Sequence, residues 1–141
     1  MPQAVFYLIQ KPRFRKEPLL LVCELARKAQ EAGLSTLIFV RDAAQAEQLD
    51  DLLWSFDPDA FIPHQIAGAD SDEEDADVLI AAPDAEAAMR PLVINLRDDA
   101  AQGGFERVLE VVPADESARG PLRERWKHYQ ARGFEMKKHD M

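Results

Sequence analysis

Two short apolar segments alternate with two amphipathic segments in the first third of the chain, and this order constrains the fold more than any other feature. Residues 4–9 (AVFYLI) and 35–40 (STLIFV) are rich in β-branched and aromatic side chains, which is typical of strands buried on both faces. Residues 18–32 and 43–54 place apolar side chains at helical spacing, and Asp42 occupies the N-cap position of the second helix. The order strand–helix–strand–helix predicts parallel strands joined by right-handed crossovers.

The rest of the chain continues this pattern with shorter segments. The stretch at 60–68 is a strand candidate interrupted by Pro63, which places it at an edge of the sheet or ends it there. Beyond it we predict strands at 77–82 and 91–96, a segment at 105–113 that holds a strand with or without a preceding helical turn, and a final helix from Asp115 or Ser117 to about Arg132, ended by Gly133. The sequence therefore predicts one α/β domain over residues 1–141, with a Rossmann-like, mostly parallel sheet flanked by helices.

Composition indicates the cellular compartment in which this domain is expected. The single cysteine, Cys23, permits no intrachain disulfide and fits a reducing compartment. The longest apolar runs, such as 19–23, are far shorter than the roughly 18 residues of a membrane-spanning helix. No positively charged region precedes an apolar run at the N-terminus, so no signal peptide is predicted. We expect a cytoplasmic protein without membrane contact.

Charge is distributed unevenly along the chain. Residues 119–138 hold seven Lys/Arg and two acids, so this segment carries +5 and leaves −14 on the remainder of a chain whose net charge is −9. Phosphate neutralisation supplies most of the affinity of duplex-binding proteins, so the acidic balance argues against tight direct DNA binding. The cationic segment is the exception that calls for an explanation.

Nucleotide-binding motifs are missing from the sequence. Neither G-x-G-x-x-G nor G-x-x-x-x-G-K-[ST] occurs, and the loop after the first strand, QKPRFRKEP at 10–18, contains no glycine. The four cations of this loop could hold an anion, although a solvated loop is the favoured interpretation; they are Lys11, Arg13, Arg15 and Lys16. We expect no bound nucleotide cofactor.

Metal and catalytic signatures are equally weak. One Cys and three His, at positions 64, 128 and 139, give no zinc spacing, and the acidic segment 70–77 lacks the central glycine and terminal Glu of an EF-hand. No G-x-S-x-G nucleophile elbow is present. We expect neither a metal site nor catalytic residues.

The final helix combines a cationic face with a neighbouring apolar stripe. The cationic face holds Arg119, Arg123 and Lys127, and the stripe holds Leu122, Trp126 and Tyr129. Trp126 could form the floor of a cleft with a cationic rim, and we expect Phe134, just beyond Gly133, to fold back onto that floor. Such a cleft fits a ligand that has an apolar tip surrounded by negative charge.

Two other interpretations of this helix remain open. Its apolar stripe can simply pack into the core beneath an ordinary solvated face, which spacing alone favours. Aromatic residues interleaved with cations are also typical of single-stranded nucleic acid binding. The net charge of −14 on the rest of the chain would repel phosphates, which makes direct DNA binding the weaker functional alternative.

Several short segments resemble the chi subunit family of the bacterial DNA polymerase III holoenzyme. They are FYL (6–8), LVCELA (21–26), Leu53–Trp54, FIPH (61–64), Ala67–Gly68, LVINLR (92–97) and RERWKHYQARGF (123–134). Their order and spacing extend the resemblance over nearly the whole chain, while the acidic segment 70–77 and residues 82–91 depart from relatives. The resemblance implies a Rossmann-like fold without a nucleotide-binding loop and a non-catalytic accessory subunit of the polymerase.

The resemblance also implies a ligand for the final helix. Members of the family bind the C-terminal tail of single-stranded DNA-binding protein (SSB), which is acidic and ends in an aromatic residue with a free carboxylate. The matching positions here are Arg119, Arg123, Trp126, Lys127 and Phe134. Trp126 stands where relatives often carry Tyr, and Arg119 stands where a Lys occurs.

A second family surface implies further partners. It binds the psi subunit, and in some bacteria a helicase, and its matching positions here are Trp54, Phe61, Pro63 and His64. Trp54 and Phe61 could instead pack the end of a helix onto the sheet. The resemblance thus predicts an adaptor that links SSB to the clamp loader through psi or another subunit and touches DNA only indirectly. The alternatives are a nucleotide-dependent Rossmann-like enzyme and a direct single-stranded DNA-binding module.

Overall fold

A computed structural model describes residues 2–68 and 76–141. The strands are β1 Gln3–Leu8, β2 Thr36–Phe39, β3 His64–Ile66, β4 Val78–Ala81, β5 Leu92–Asn95, β6 Arg107–Val112 and β7 Glu135–Asp140. The helices are α1 Pro12–Lys16, α2 Pro18–Glu31, α3 Ala43–Ser55 and α4 Arg119–Ala131, and a 3-10 turn at Glu116–Ala118 leads into α4. Most of the acidic segment 70–77 lies outside the described residues.

The strands form one sheet in the order β3-β4-β2-β5-β6-β1-β7. All six neighbouring pairs are parallel, with β1 between β6 and β7. Parallel strands need crossover connections, and helices lie in those from β1 to β2, from β2 to β3 and from β6 to β7. The α/β, Rossmann-like fold expected from the sequence is confirmed, and β3, directly after Pro63, is an edge strand as predicted.

Helices cover both faces of the sheet. Apolar residues of α1, α2 and α3 pack with one set of strand side chains, including Val5 and Ile38. The other face carries Ala4, Phe6 and Leu37, and α4 packs there through Tyr129. Alternate residues of β1 therefore face opposite cores, and Phe6 lies directly beneath α4. No helix among the described residues is long and apolar enough to cross a bilayer.

Helix boundaries follow the signals in the sequence. The Asp42 carboxylate accepts a hydrogen bond from the Gln45 backbone N–H at 2.8 Å, which satisfies a free donor at the start of α3. Gly133 has a φ of 83°, a conformation that side chains disfavour, and it ends α4 and redirects the chain toward β7.

Two elements were not predicted. Residues 12–16 form the short helix α1 in place of a solvated loop, because the buried Phe14 anchors them to the core. Residues 135–140 form β7, which has the sequence EMKKHD and is largely exposed because it lies at the edge of the sheet. The segment at 105–113 contains the strand β6 without a preceding helical turn.

Candidate functional site

A surface groove lies between α4 and the β1–β7 edge of the sheet. We call it the aromatic groove, and its volume is about 390 Å³. It is lined by Phe6 and Leu8 of β1, by Leu122, Arg123, Trp126 and Lys127 of α4, and by Lys138 of β7. It exists because β7 extends the sheet past β1, so that one side of α4 overhangs the last strands.

The floor of the aromatic groove is apolar. The ring of Phe6 is fully buried, and its centroid lies 5.1 Å from that of Trp126 at an angle of 54°. Trp126 is half-buried, so its indole packs on Phe6 and still lines the groove. Leu122, one turn earlier in α4, is also half-buried and extends the floor. The indole is therefore neither a core residue nor a free surface ring.

The rim of the groove is cationic. Arg123, Lys127 and Lys138 are all exposed, and within residues 2–68 and 76–141 none of them pairs with a carboxylate. Their charges are therefore available to a ligand. Lys138 was not among the predicted site residues. In β7 it lies two residues after Met136 and therefore on the same face of the sheet; because Met136 packs on the core beneath α4, recognising β7 as a strand would have placed Lys138 on the groove side.

Two of the predicted tail-binding residues lie outside the aromatic groove. Arg119 lines an adjoining pocket at the carboxyl end of β1, and the two pockets share Leu8 and Leu122. Phe134 is buried, with its ring centroid 5.2 Å from that of Tyr129 and 5.7 Å from that of Phe105. The expectation that Phe134 forms part of the groove floor was wrong. The reason is that the chain enters β7 immediately afterwards, which directs Phe134 into the core below the end of α4.

Buried polar contacts fix α4 against the sheet. The Tyr129 hydroxyl donates to Oε2 of Glu110 in β6 at 2.6 Å and accepts the Ala101 backbone N–H at 2.7 Å. Asn95 Nδ2 donates to the same Glu110 oxygen at 2.8 Å. Arg125 Nε lies 2.9 Å from Glu110 Oε1, as an ion pair without the alignment of a hydrogen bond. These contacts set the rotation of α4 and therefore the direction of Arg123, Trp126 and Lys127.

Burial changes the titration of this cluster. Removal from water raises the pKa of Glu110 from its ordinary value of 4.5 to about 7, although the Arg125 charge and the donated hydrogen bonds act in the opposite direction. Burial, together with the neighbouring Glu110 charge, raises the pKa of Tyr129. Arg125 is buried, so one of the seven cations counted in the segment 119–138 contributes to internal structure and not to the surface.

The second predicted surface lies at the opposite end of the sheet, around β3. Trp54 at the end of α3 is 60% exposed, and Phe61 is 68% exposed. Their ring centroids lie 6.4 Å apart, so the two rings form one exposed aromatic patch. The alternative in which they pack the helix end onto the sheet is inconsistent with this exposure.

His64 supports this patch from below. The His64 side chain is fully buried, and its ring centroid lies 4.7 Å from that of Trp54. Its Nδ1 lies 2.7 Å from the Ile62 carbonyl oxygen, and its Nε2 lies 3.1 Å from Asp50 Oδ1. Pro63 is half-buried. His64 therefore orients the indole and is not itself accessible to a partner.

The described residues offer no cluster of three or more His, Cys, Asp or Glu side chains that could hold a metal ion. The structure instead presents two aromatic surfaces at opposite ends of one sheet. One is a cationic groove, and the other is an exposed pair of rings.

Comparisons with known proteins match most or nearly all of the chain. The family model described as DNA polymerase III chi subunit, HolC, matches residues 1–137. The protein named DNA polymerase III subunit chi from Pseudomonas aeruginosa is 33% identical over 99% of this chain and 96% of its own length. The protein of the same name from Escherichia coli is 35% identical over 82% of this chain and 80% of its own length.

Solved structures share the fold. The chain aligns over 99% of its length with Saccharomyces cerevisiae Dbp5 bound to RNA and ADP BeF3, with a TM-score of 0.63 and 16% identity. It also aligns with T4 UvsW, with a TM-score of 0.61 and 10% identity. The chain spans about two fifths of the length of each of these proteins (41%). At this identity the likeness concerns the fold alone.

Proposed function

The chain belongs to the DNA polymerase III chi subunit family, and we propose that its aromatic groove binds the acidic C-terminal tail of SSB and thereby links SSB-coated DNA to the clamp loader. The observation that carries this proposal is the pairing of an apolar floor with three cations that have no carboxylate partner among the described residues. An acidic peptide with an aromatic residue at its free carboxyl end has the complementary chemistry.

The geometry suggests how such a tail would lie. Its terminal ring would pack against Trp126 and Leu122 above Phe6, which removes apolar surface from water. The terminal carboxylate would then lie among the cations of the rim. Arg123 is the best placed by chemistry, because a guanidinium can bind a carboxylate through two parallel hydrogen bonds. Lys127 and Lys138 would add charge on either side.

A peptide titration tests this proposal. A fluorescent acidic peptide ending in a free aromatic residue is titrated with wild type, Arg123→Ala and Trp126→Ala, and anisotropy reports binding. We expect micromolar affinity, about −8 kcal/mol, that weakens as salt rises. Each substitution should cost roughly 1–3 kcal/mol of binding free energy.

Matched controls make the titration specific. Trp54→Ala removes an exposed indole far from the groove, and Lys28→Ala removes an exposed cation from α2 on the opposite face of the sheet. Both should bind the peptide as wild type does. Equal affinities for wild type, Arg123→Ala and Trp126→Ala would refute the assignment of the groove.

The Trp54–Phe61 patch is the proposed contact for the psi subunit, another clamp-loader subunit or a helicase. Exposed aromatic residues of this kind dominate the energy of many interfaces. A pull-down with Trp54→Ala should lose that partner and keep SSB, whereas Trp126→Ala should give the opposite result. Loss of both partners with either variant would show that the two surfaces are not separate.

As part of the same proposal, the protein is a cytoplasmic, non-catalytic subunit. A nucleotide-dependent enzyme would be stabilised by a nucleotide in a thermal-shift screen. A direct DNA-binding module would shift a bare single-stranded oligonucleotide in a gel. We expect neither effect, and either one would favour the corresponding alternative.

A further inference from the structure

A second pocket continues the aromatic groove toward the carboxyl ends of β1 and β6. Its volume is about 380 Å³, and it shares Leu8 and Leu122 with the groove. Its cations are Arg15 of α1 and Arg119 at the start of α4. We call this pocket the cationic shelf.

The fold of α1 explains how Arg15 reaches the shelf. Phe14 is buried in the core on the α2 side of the sheet, which fixes α1 near the end of β1. Arg13, on the same short helix, forms an ion pair with Glu24 of α2. Arg15 lines the shelf instead, so two cations of one short helix have different surroundings.

The charges on the shelf are not neutralised from within the protein. Several other arginines pair with carboxylates; they are Arg13 with Glu24, Arg27 with Asp57, Arg41 with Asp98, and Arg125 with Glu110. Neither Arg15 nor Arg119 forms such a pair within residues 2–68 and 76–141. Asp115 also lines the shelf, and its Oδ1 accepts the Ser117 backbone N–H at 3.1 Å. The shelf therefore carries two cations and one acid.

We propose that the cationic shelf binds the acidic residues that precede the tip of the tail, so that one extended acidic peptide crosses Leu8 and Leu122 and occupies both pockets. This inference rests on the proposed function of the aromatic groove. An extended peptide advances about 3.3 Å per residue, so a few residues upstream of the terminal ring suffice to pass from the groove to the shelf. The apolar tip fixes the position of the peptide, and the shelf selects for acids behind it.

Two peptides of different length test the shelf. The short peptide holds only the terminal apolar residues and the free carboxylate, and the long peptide adds several acidic residues before them. Arg15→Glu and Arg119→Glu should each weaken binding of the long peptide about three- to tenfold at low salt and leave the short peptide within about twofold. Lys28→Glu changes the net charge equally on the opposite face of the sheet and should affect neither peptide.

The outcomes distinguish a failure of the proposal for the shelf from a failure of the proposal for the groove. If Arg123→Ala weakens both peptides while Arg15→Glu and Arg119→Glu leave the long peptide unchanged, the shelf is refuted and the groove stands. If Arg15→Glu and Lys28→Glu weaken the long peptide equally, only the overall charge matters and the shelf is likewise refuted. If wild type binds neither peptide, the proposed function fails and the shelf fails with it. Thermal melting of each variant verifies that the fold is intact.

Discussion

Replacement of Tyr129 by Phe tests whether the buried polar contacts hold α4 in place. Tyr129 is fully buried, and its hydroxyl is the only polar atom that the substitution removes. The ring itself remains, so packing against Phe6 and Phe134 is preserved. Any loss of stability therefore reports on hydrogen bonding and not on a cavity.

The expected loss of stability follows from the two groups that lose a hydrogen bond to the Tyr129 hydroxyl. The buried Ala101 N–H loses its acceptor at 2.7 Å, and an unsatisfied buried donor costs about 1–3 kcal/mol. Glu110 Oε2 loses the Tyr129 donor at 2.6 Å, and this loss adds about 1 kcal/mol to the cost, because Oε2 keeps the hydrogen bond from Asn95 Nδ2 at 2.8 Å. We expect Tyr129→Phe to lower the free energy of unfolding by about 2–4 kcal/mol. At about 3 °C per kcal/mol for a domain of this size, the melting temperature should fall by about 6–12 °C.

Urea denaturation followed by circular dichroism, together with a thermal melt, measures this loss. Tyr7→Phe is the matched control, because Tyr7 is half-buried and its hydroxyl makes no hydrogen bond to any described residue. The free energy of unfolding of Tyr7→Phe should be within about 0.5 kcal/mol of that of wild type. A loss below about 1 kcal/mol for Tyr129→Phe would refute the assigned role of the hydroxyl, because it would mean that the Ala101 N–H finds another acceptor without cost.

Three further predictions concern single groups. Burial raises the pKa of Glu110 from 4.5 to about 7, so between these pH values the folded state holds a proton that the unfolded state has released. The contribution of Glu110 to the free energy of unfolding is therefore full below pH 4.5 and falls by about 3 kcal/mol as the pH rises to 7. Urea titrations across that range should show the slope in wild type and lack this component in Glu110→Gln. Gly133→Ala should destabilise the fold by about 1 kcal/mol because of its φ of 83°, whereas Gly104→Ala, at an exposed glycine whose φ is not positive, should change the free energy of unfolding by less than about 0.5 kcal/mol, since at either position a Cβ meets no atom within 4 Å apart from those of the adjacent residues; equal destabilisation by both substitutions would contradict this reasoning. Burial raises the pKa of the Cys23 thiol to about 12, so alkylation at neutral pH should follow unfolding, and rapid labelling of the native protein would place Cys23 at the surface.

The fold could be predicted from periodicity because its central strands are buried on both faces and read as apolar runs. The edge strand β7 could not be predicted in this way, because EMKKHD has only one apolar residue and therefore no periodic pattern. That residue, Met136, packs on the core. The identity of β7 as a strand depends on the parallel partner β1, which a local pattern does not reveal. The helix α1 was missed for a related reason: its only anchor is the buried Phe14 in a loop of cations.

The candidate site was predicted in part, because helical spacing reports which residues share a face and not how deep that face lies. Arg123, Trp126 and Lys127 meet in one groove as the spacing implied. Arg125, on the same helix, was counted with the surface charge although it is buried. The signal that could have revealed this is Glu110, a single acid within the apolar run VLEVV, because a buried carboxylate requires a buried partner.

If the proposed function holds, the uneven charge of the chain should make the trough formed by the aromatic groove and the cationic shelf selective. Attraction between a cation and an anion in solvent is confined to about 8 Å at physiological salt, so a ligand responds to the charges near it and not to the net charge of −9. A short acidic peptide that ends within the trough meets only the cations there. The residues that line the trough carry a net charge of +4, so a long nucleic acid would continue beyond it over a molecule whose remaining residues carry −13, and each added phosphate would meet repulsion. We therefore expect the acidic remainder to disfavour DNA at a surface whose aromatic and cationic chemistry would otherwise suit it.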